Sequence, residues 1–339
     1  AYARVFLDVL NQIPPARLMD HLELHYDAVW DGKRCLRYRP GVNTRLPNRY
    51  FRFRQAGVDV FAIDSNTLMS PEKPTNNLCN LRRDLRSLEE RRTTLYKTLA
   101  SSNLDETHRD ELFDALETLQ EECFDLQRQI KQINQTNQAN QAALVDHEQL
   151  EWLKEGLITS HRDPAVRGRI LTMHHPAYVT EKTKCNQADT HAIRRQLRAV
   201  FDAVVRALGE ELGSAKPVDL VLSGHAHCLE VLRTHDTGHA DSHINWVICG
   251  GSGYGLRAQR REGAEITEQT VDGKTRVVAT SELFIGRNWT DAGARDGYSG
   301  LRVDVAEGRP LTIRLTPLVS CRDGKSWLDA DPDPISLRS

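Results

Sequence analysis

Apolar side chains follow two different periods along this chain, and the points where one gives way to the other mark its organisation. In Asn48 to Arg54 (NRYFRFR) large and charged residues alternate, and Gly57 to Asp64 (GVDVFAID) is a short β-branched and apolar run. Both predict strands, joined through a Gln-Ala-Gly turn. Beyond Pro71 and Pro74 the period lengthens. No glycine or proline occurs between Asn77 and about Asn140, and Leu112, Leu116, Leu119, Cys123, Leu126, Ile130 and Ile133 recur at alternating steps of four and three. That spacing is the seam of a coiled coil. Leu81, Leu85, Leu88, Leu95 and Leu99 supply a matching first helix, while Ser101-Ser102-Asn103-Leu104-Asp105 ends it and caps the second, with Glu106 in the following turn. The pattern predicts an antiparallel helical hairpin with arms about 35 to 45 Å long at 1.5 Å per residue. Two ordinary helices packed on the body of the domain are the alternative, but a narrow apolar stripe flanked by charge favours projection.

After the hairpin an α/β rhythm resumes. Gln149 to Leu157 (QLEWLKEGL) predicts a helix with Leu150, Leu153 and Leu157 on one face, and Thr190 to Leu212 a second. Arg169 to Met173 (RILTM), Val218 to Ser223 (VDLVLS) and Ile244 to Cys249 (INWVIC) predict buried strands. Later runs at Arg276 to Thr280, Leu301 to Val305 and Leu311 to Leu315 predict more, the last two joined through Glu-Gly-Arg-Pro. Strands separated by helices imply a layered α/β domain.

Composition removes several classes of partner. The 339 residues carry 45 basic and 47 acidic side chains, a net charge of -2, so no global field draws the protein to nucleic acid or to an anionic membrane. No stretch approaches the roughly 20 apolar residues that span a bilayer, and the opening AYARVFLDVLNQIPP lacks the features of a signal peptide. Seven cysteines, at 35, 79, 123, 185, 228, 249 and 321, show no CxxC spacing and are odd in number, which points to reduced thiols and the cytoplasm.

Candidate chemistry gathers where two predicted strands end in histidine. ILTMHHPAY places His174 and His175 before Pro176, and LVLSGHAHC places His225 and His227 after Gly224. Strand ends are where open α/β sheets build sites. Residues two apart in an extended segment point the same way, so His225 and His227 can face one cavity, and imidazole suits first-row divalent metals. Other clusters read as ordinary structure. Asp20, His21 and His25 sit in MDHLELHYD, an amphipathic helix, and His235, His239 and His243 flank Thr237-Gly238, a solvated loop. The glycine run from Gly250 to Gly255 lacks the helix and acidic partner of a dinucleotide site. Arg257, Arg260 and Arg261 offer either an anion contact or an exposed basic edge.

A strand ending in His-His-Pro followed by one ending in Gly-His-x-His resembles the last two motif blocks of the calcineurin-like metallophosphoesterases. RYFRFRQAGVDVFAIDSN resembles the strand pair ahead of that region, and EQLEWLKEGL the helix leading into His-His-Pro. The likeness covers roughly residues 48–68 and 147–255, with the hairpin as an insertion. It implies a layered αββα metallophosphoesterase sandwich whose first part is residues 1–76 and whose second part is 146–320, with the insertion at 77–145 and a tail at 321–339. It also implies a dinuclear site of two divalent ions, manganese, iron or zinc, with His174 and His225 on one ion and His227 on the other. His175 then touches the phosphate or holds the loop. The Gly250 to Gly255 run becomes a loop beside the ions. The implied reaction is hydrolysis of a phosphomonoester or phosphodiester by a metal-bridging hydroxide.

The family's remaining ligand blocks, Asp-x-His, Gly-Asp-x-x-Asp and Gly-Asn-His, belong ahead of the RYFRF strands, and none lies ahead of Asn48 here. One ion keeps two protein ligands and the other one, so a preceding segment or a partner chain is expected to complete the site, and this chain alone is expected to be inactive. The expected partners are a phosphorylated substrate and, through residues 77–145, a second copy or another protein. The alternative function is a catalytically incomplete scaffold that acts through its hairpin.

Overall fold

The computed structural model describes residues 29–30, 33–34, 50–68, 78–100, 145–253, 255–270, 273–287, 289, 296–323 and 326–338, with single helical positions from His108 to Ile130. Residues 1–51 and 52–339 form two compact units. In the first, β1 (Val29–Trp30) and β2 (Lys33–Arg34) pair antiparallel. The MDHLELHYD segment lies outside the described residues.

The second unit, entered within β3 (Phe51–Gln55), is built on a sheet of eight strands. In chain order the others are β4 (Val58–Ala62), β5 (Gly168–Thr172), β6 (Leu220–Ser223), β7 (Leu229–Thr234), β8 (Asn245–Cys249), β9 (Glu265–Gln269) and β10 (Thr275–Ile285). Their order across the sheet is β3-β4-β5-β6-β8-β7-β10-β9. The run β4-β5-β6-β8 is parallel, and β7, β9 and β10 extend it antiparallel.

Neighbouring residues on the central strands point to opposite faces, and both faces are buried. Leu171, Val221, Trp246 and Ile248 face two helices, α2 (His147–Arg162) and α3 (Ala188–Leu208), which bring Leu153, Leu157, Leu197 and Phe201 to the same core. The first helix of the unit is α1 (Leu78–Leu99). Ile170, Leu220 and Val247 face the other way, onto a second, antiparallel sheet that contributes Leu311, Ile313, Leu315 and Val319. Its strands are β11 (Gly297–Val305), β12 (Thr312–Asp323), β13 (Ser326–Ala330) and β14 (Ile335–Arg338). The result is helices, sheet and sheet in three layers. The outer helical layer of the expected αββα sandwich is not seen among the described residues.

Residues 321–339, set apart by the sequence as a tail, run into this second sheet. β13 and β14 both pair with β12, and Leu337 is buried between the sheets. The hairpin region is described in part. In α1, Leu81 is buried and Leu85, Leu88, Leu95 and Leu99 are half-buried; on the facing positions Leu116, Leu119 and Cys123 are buried. Gln127 Nε2 donates to Glu89 Oε1 at 3.4 Å. The turn and both junctions expected for a hairpin over 77–145 lie outside the described residues.

Candidate metal centre

The two histidine loops leave neighbouring parallel strands at the same edge of the sheet. β5 and β6 pair in register, with Thr172 opposite Leu222. The pairing continues beyond them: Met173 N donates to Leu222 O and Gly224 N to His174 O, each at 3.0 Å. Both loops are therefore tied by backbone bonds at the carboxyl ends of their strands, where this kind of sheet opens its crevice.

Past Gly224 the chain makes two successive three-residue turns, Ala226 N to Gly224 O at 2.8 Å and Cys228 N to Ala226 O at 2.9 Å, centred on His225 and His227. His225 sits at φ +66°, the strained left-handed form of such a turn, which folds tolerate chiefly at functional sites. His174, His175 and His225 then come together. Ring centroids are 4.8 Å apart for His174 and His175, 5.0 Å for His174 and His225, and 4.4 Å for His175 and His225. One ring nitrogen of each lies within 4.8 Å of those of the other two.

That donor set suits a divalent metal. At nitrogen–metal distances of about 2.0 to 2.1 Å, two imidazole nitrogens on one ion are about 3.3 Å apart in a tetrahedron and about 4.2 Å when opposed. A spread of up to 4.8 Å is wider than both, so the rings must turn inward before three nitrogens share one ion. Among the described residues no carboxylate joins this group.

Ser65, from the turn after β4, positions His175. Its Oγ accepts from His175 N at 3.0 Å and bonds His175 Nδ1 at 2.8 Å. The tautomer with the proton on Nδ1 lets the hydroxyl accept both and leaves the Nε2 lone pair for a ligand. The Ser65 turn is itself held by buried Gln149 of α2, which accepts from Asp64 N at 2.7 Å and donates to Asp64 O at 3.1 Å. His227 lies outside the three-residue group. Its Nδ1 donates to Gly255 O at 2.9 Å, an acceptor only, so its lone pair is on Nε2.

At His174 and His225 the charged form is disfavoured, although the His174 side chain is exposed at the surface and His225 only half-buried. Burial pushes the His225 imidazolium down to about 2, with Lys184, His175, His174 and His227 adding to the effect. His174 is lowered too, by burial and then by Lys184 and His227. Neutral imidazole is the state that binds metal. Lys184, 4% exposed, is the nearby cation that the strand-end pattern did not reveal, and Ser65 was equally hidden, 110 residues from its partner.

Three residues after His227, Glu230 of β7 is fully buried and accepts from Thr180 N at 3.1 Å and from Thr180 Oγ1. Burial raises its carboxyl from 4.5 to about 7 against those bonds. A folded pKa above the unfolded one means stability that is whole below pH 4.5 and is lost as pH rises through 7, about 3 kcal/mol in all. Glu230→Gln keeps an acceptor and removes the titration. Melting temperatures measured from pH 5 to 8 should fall for the native protein relative to this variant, and parallel curves would refute the assignment.

Gly250, after β8, lies against the same loop. Its N donates to Cys228 O at 2.9 Å, and a Cβ there would stand 2.1 Å from Ala226 O, backbone lying between His225 and His227. Gly250→Ala should cost about 1 to 3 kcal/mol by urea unfolding and weaken metal binding with it. A variant as stable and as tight as the native chain would mean that the loop yields without moving its histidines.

The remaining candidates disperse. His235 bonds Thr280 Oγ1 at 2.8 Å and His239 bonds Asp202 Oδ2 at 2.9 Å, so neither joins a cluster. Arg257 is 2% exposed and is no part of a basic edge, because its backbone is tied between His227 O and Arg287 N, each at 3.0 Å. Arg260 instead bonds the carbonyls of Gly263 and Glu265. No helix among the described residues is long and apolar enough to cross a membrane.

Compared with known proteins, the sequence matches no family model and no curated protein. Among solved structures it is similar to one titled "Structure of PhoD", at 14% identity and a TM-score of 0.35 over 57% of this chain and 33% of that one. A second, titled "GAP50 the anchor in the inner membrane complex of Plasmodium", aligns at 11% identity and a TM-score of 0.27 over 86% of this chain and 55% of that one. The chain thus spans about a third of the first and just over half of the second.

Proposed function

We propose that this chain carries part of the active site of a metal-dependent phosphoesterase, acting on a phosphomonoester or phosphodiester, with His174, His225 and His227 as metal ligands. The reading rests on one observation above all: imidazoles from two loops at neighbouring strand ends meet with their ligand atoms within 4.8 Å of one another. The order of the sequence motifs that resemble the calcineurin-like family adds to it.

Divalent ions would supply Lewis acidity toward a phosphoryl oxygen and acidify water. The chain's own residues do the rest of the work that is open to them. Ser65 orients His175, which either contributes a nitrogen of its own or meets the phosphate. Gly255 O fixes the His227 tautomer. Lys184 sets a positive charge beside the cluster, the sign a phosphate ester requires.

A second reading, an interaction protein working through residues 77–145, is favoured by Tyr96 and Phe113, each about half exposed on the helices. Titration of the chain with Mn²⁺ and Zn²⁺ by calorimetry, followed by hydrolysis of bis(4-nitrophenyl) phosphate and 4-nitrophenyl phosphate, separates the two. The phosphoesterase reading expects saturable metal binding and metal-dependent hydrolysis once the ligand set is complete. A folded chain that, with its ligand set completed, still binds neither metal overturns it.

A further inference from the structure

At the opposite end of the same strands lies a cavity of about 390 Å³, lined by the residues entering β5, the turn before β6 and the Arg309 loop. Arg169 and His174 are five residues apart on β5 and its continuation, so this cavity is about 16 Å from the histidines along the strand. Its volume is near the lower end of small-molecule sites.

The charge lining it is unbalanced. Arg167, Arg169, Lys216 and Arg309 face Asp163, Glu211 and Asp219. Two of the three carboxylates are already committed, Asp163 to Arg54 at 2.8 Å and Glu211 to Arg162 at 2.8 Å. Asp219 accepts from Arg169 N at 2.7 Å. Among the cations, Arg167 bonds only the carbonyls of Ala56, Ala306 and Gly308 in the described residues, and Arg309 those of Pro164 and Val166. Carbonyls satisfy donors without cancelling charge.

Arg169 supplies the second observation. It is 8% exposed, its NH2 donates to Ser160 O at 2.9 Å, and its buried Nε has no hydrogen-bond partner. Buried donors are nearly always paired, and a guanidinium that lines a cationic cavity with one donor unpaired beneath its wall is suited to an oxyanion.

We propose that this cavity is a binding site for a small phosphate-bearing anion, held by Arg169, Lys216 and Arg309 and separate from the histidine cluster. The test is calorimetric titration of the whole chain with inorganic phosphate, and in parallel with glycerol 2-phosphate, in chelator so that no metal contributes. Saturable binding is expected, about tenfold weaker in Lys216→Gln and in Arg309→Gln and unchanged in His225→Ala. Tighter binding of the ester than of the free ion identifies a phosphorylated small molecule as the ligand, and equal binding identifies phosphate itself; both support the site. The proposal is overturned if neither ligand binds at up to about 10 mM, a free energy near 3 kcal/mol. It is equally overturned if binding survives both cavity substitutions at full strength or disappears with His225.

Discussion

His225→Ala is expected to weaken Mn²⁺ binding by at least about 100-fold and to abolish any metal-dependent hydrolysis with it. The magnitude follows from comparison with lesser changes: loss of a partner that merely orients a ligand costs about 10- to 100-fold in affinity, and loss of the ligand itself must cost at least as much. His225 is also the member of the cluster for which the backbone accepts strain, at φ +66°. An alanine retains that strain while removing the imidazole, so the loop has nothing to gain from it. Ser65→Ala provides the graded comparison. It deletes the hydroxyl that bonds His175 at 2.8 Å and leaves all the imidazoles in place, so a drop of about tenfold in affinity is expected where His175 contributes a nitrogen, and a drop in hydrolysis alone where it meets the phosphate. His235→Ala, which removes a ring bonded to Thr280, should change nothing. Calorimetric titration of the three variants, each checked for folding by circular dichroism, reads the series directly. Native-like Mn²⁺ affinity in His225→Ala would dispose of the metal reading altogether.

Much of the scaffold around this site is legible in the sequence because its strands are buried on both faces. RILTM, VDLVLS and INWVIC are continuous apolar runs bounded by turn residues, and β5, β6 and β8 fall within one or two residues of them. Among the strands that escaped, β7 (LEVLRT) is buried as deeply as those three, whereas the last two have weaker contrast. β13 (SWLDA) is almost wholly exposed, β14 (ISLR) is four residues long, and the DPDP between them reads as a terminus. Their pairing is set by β12, a partner that no local pattern announces. The site divides in the same way. His-His-Pro and Gly-His-x-His are visible as strand ends, but adjacent side chains on an extended segment normally diverge. Nothing in the spacing therefore predicted that His174 and His175 would both reach His225. That convergence depends on the bend after Met173 and on Ser65, a long-range contact.

The largest effect on stability is expected at Asp59, which no functional reading touches. It lies on β4, fully buried, and receives Arg52 at 2.5 Å, Arg54 at 2.7 Å and the Ser160 hydroxyl at 2.6 Å. Burial alone would raise its carboxyl, but the bonds from Arg54 and Ser160 and the charge and bond of Arg52 outweigh that and hold it below the usual carboxylate value of 3.8. Asp59→Ala would leave two guanidinium groups facing a cavity. Removal of one partner from a buried pair costs about 3 to 5 kcal/mol. The Arg52 and Arg54 side chains keep 24% and 35% of their exposure and rehydrate in part, which places the expected loss near the lower bound, about 3 kcal/mol. Because the folded pKa lies below the unfolded one, this stability is present above about pH 4 and disappears as pH falls through the folded value. Urea unfolding of the native chain and of Asp59→Asn should therefore differ most at pH 7 and converge below pH 4. A gap that stays constant across that range would mean that the carboxylate's charge contributes nothing and that shape alone holds β3 and α2 to this edge of the sheet.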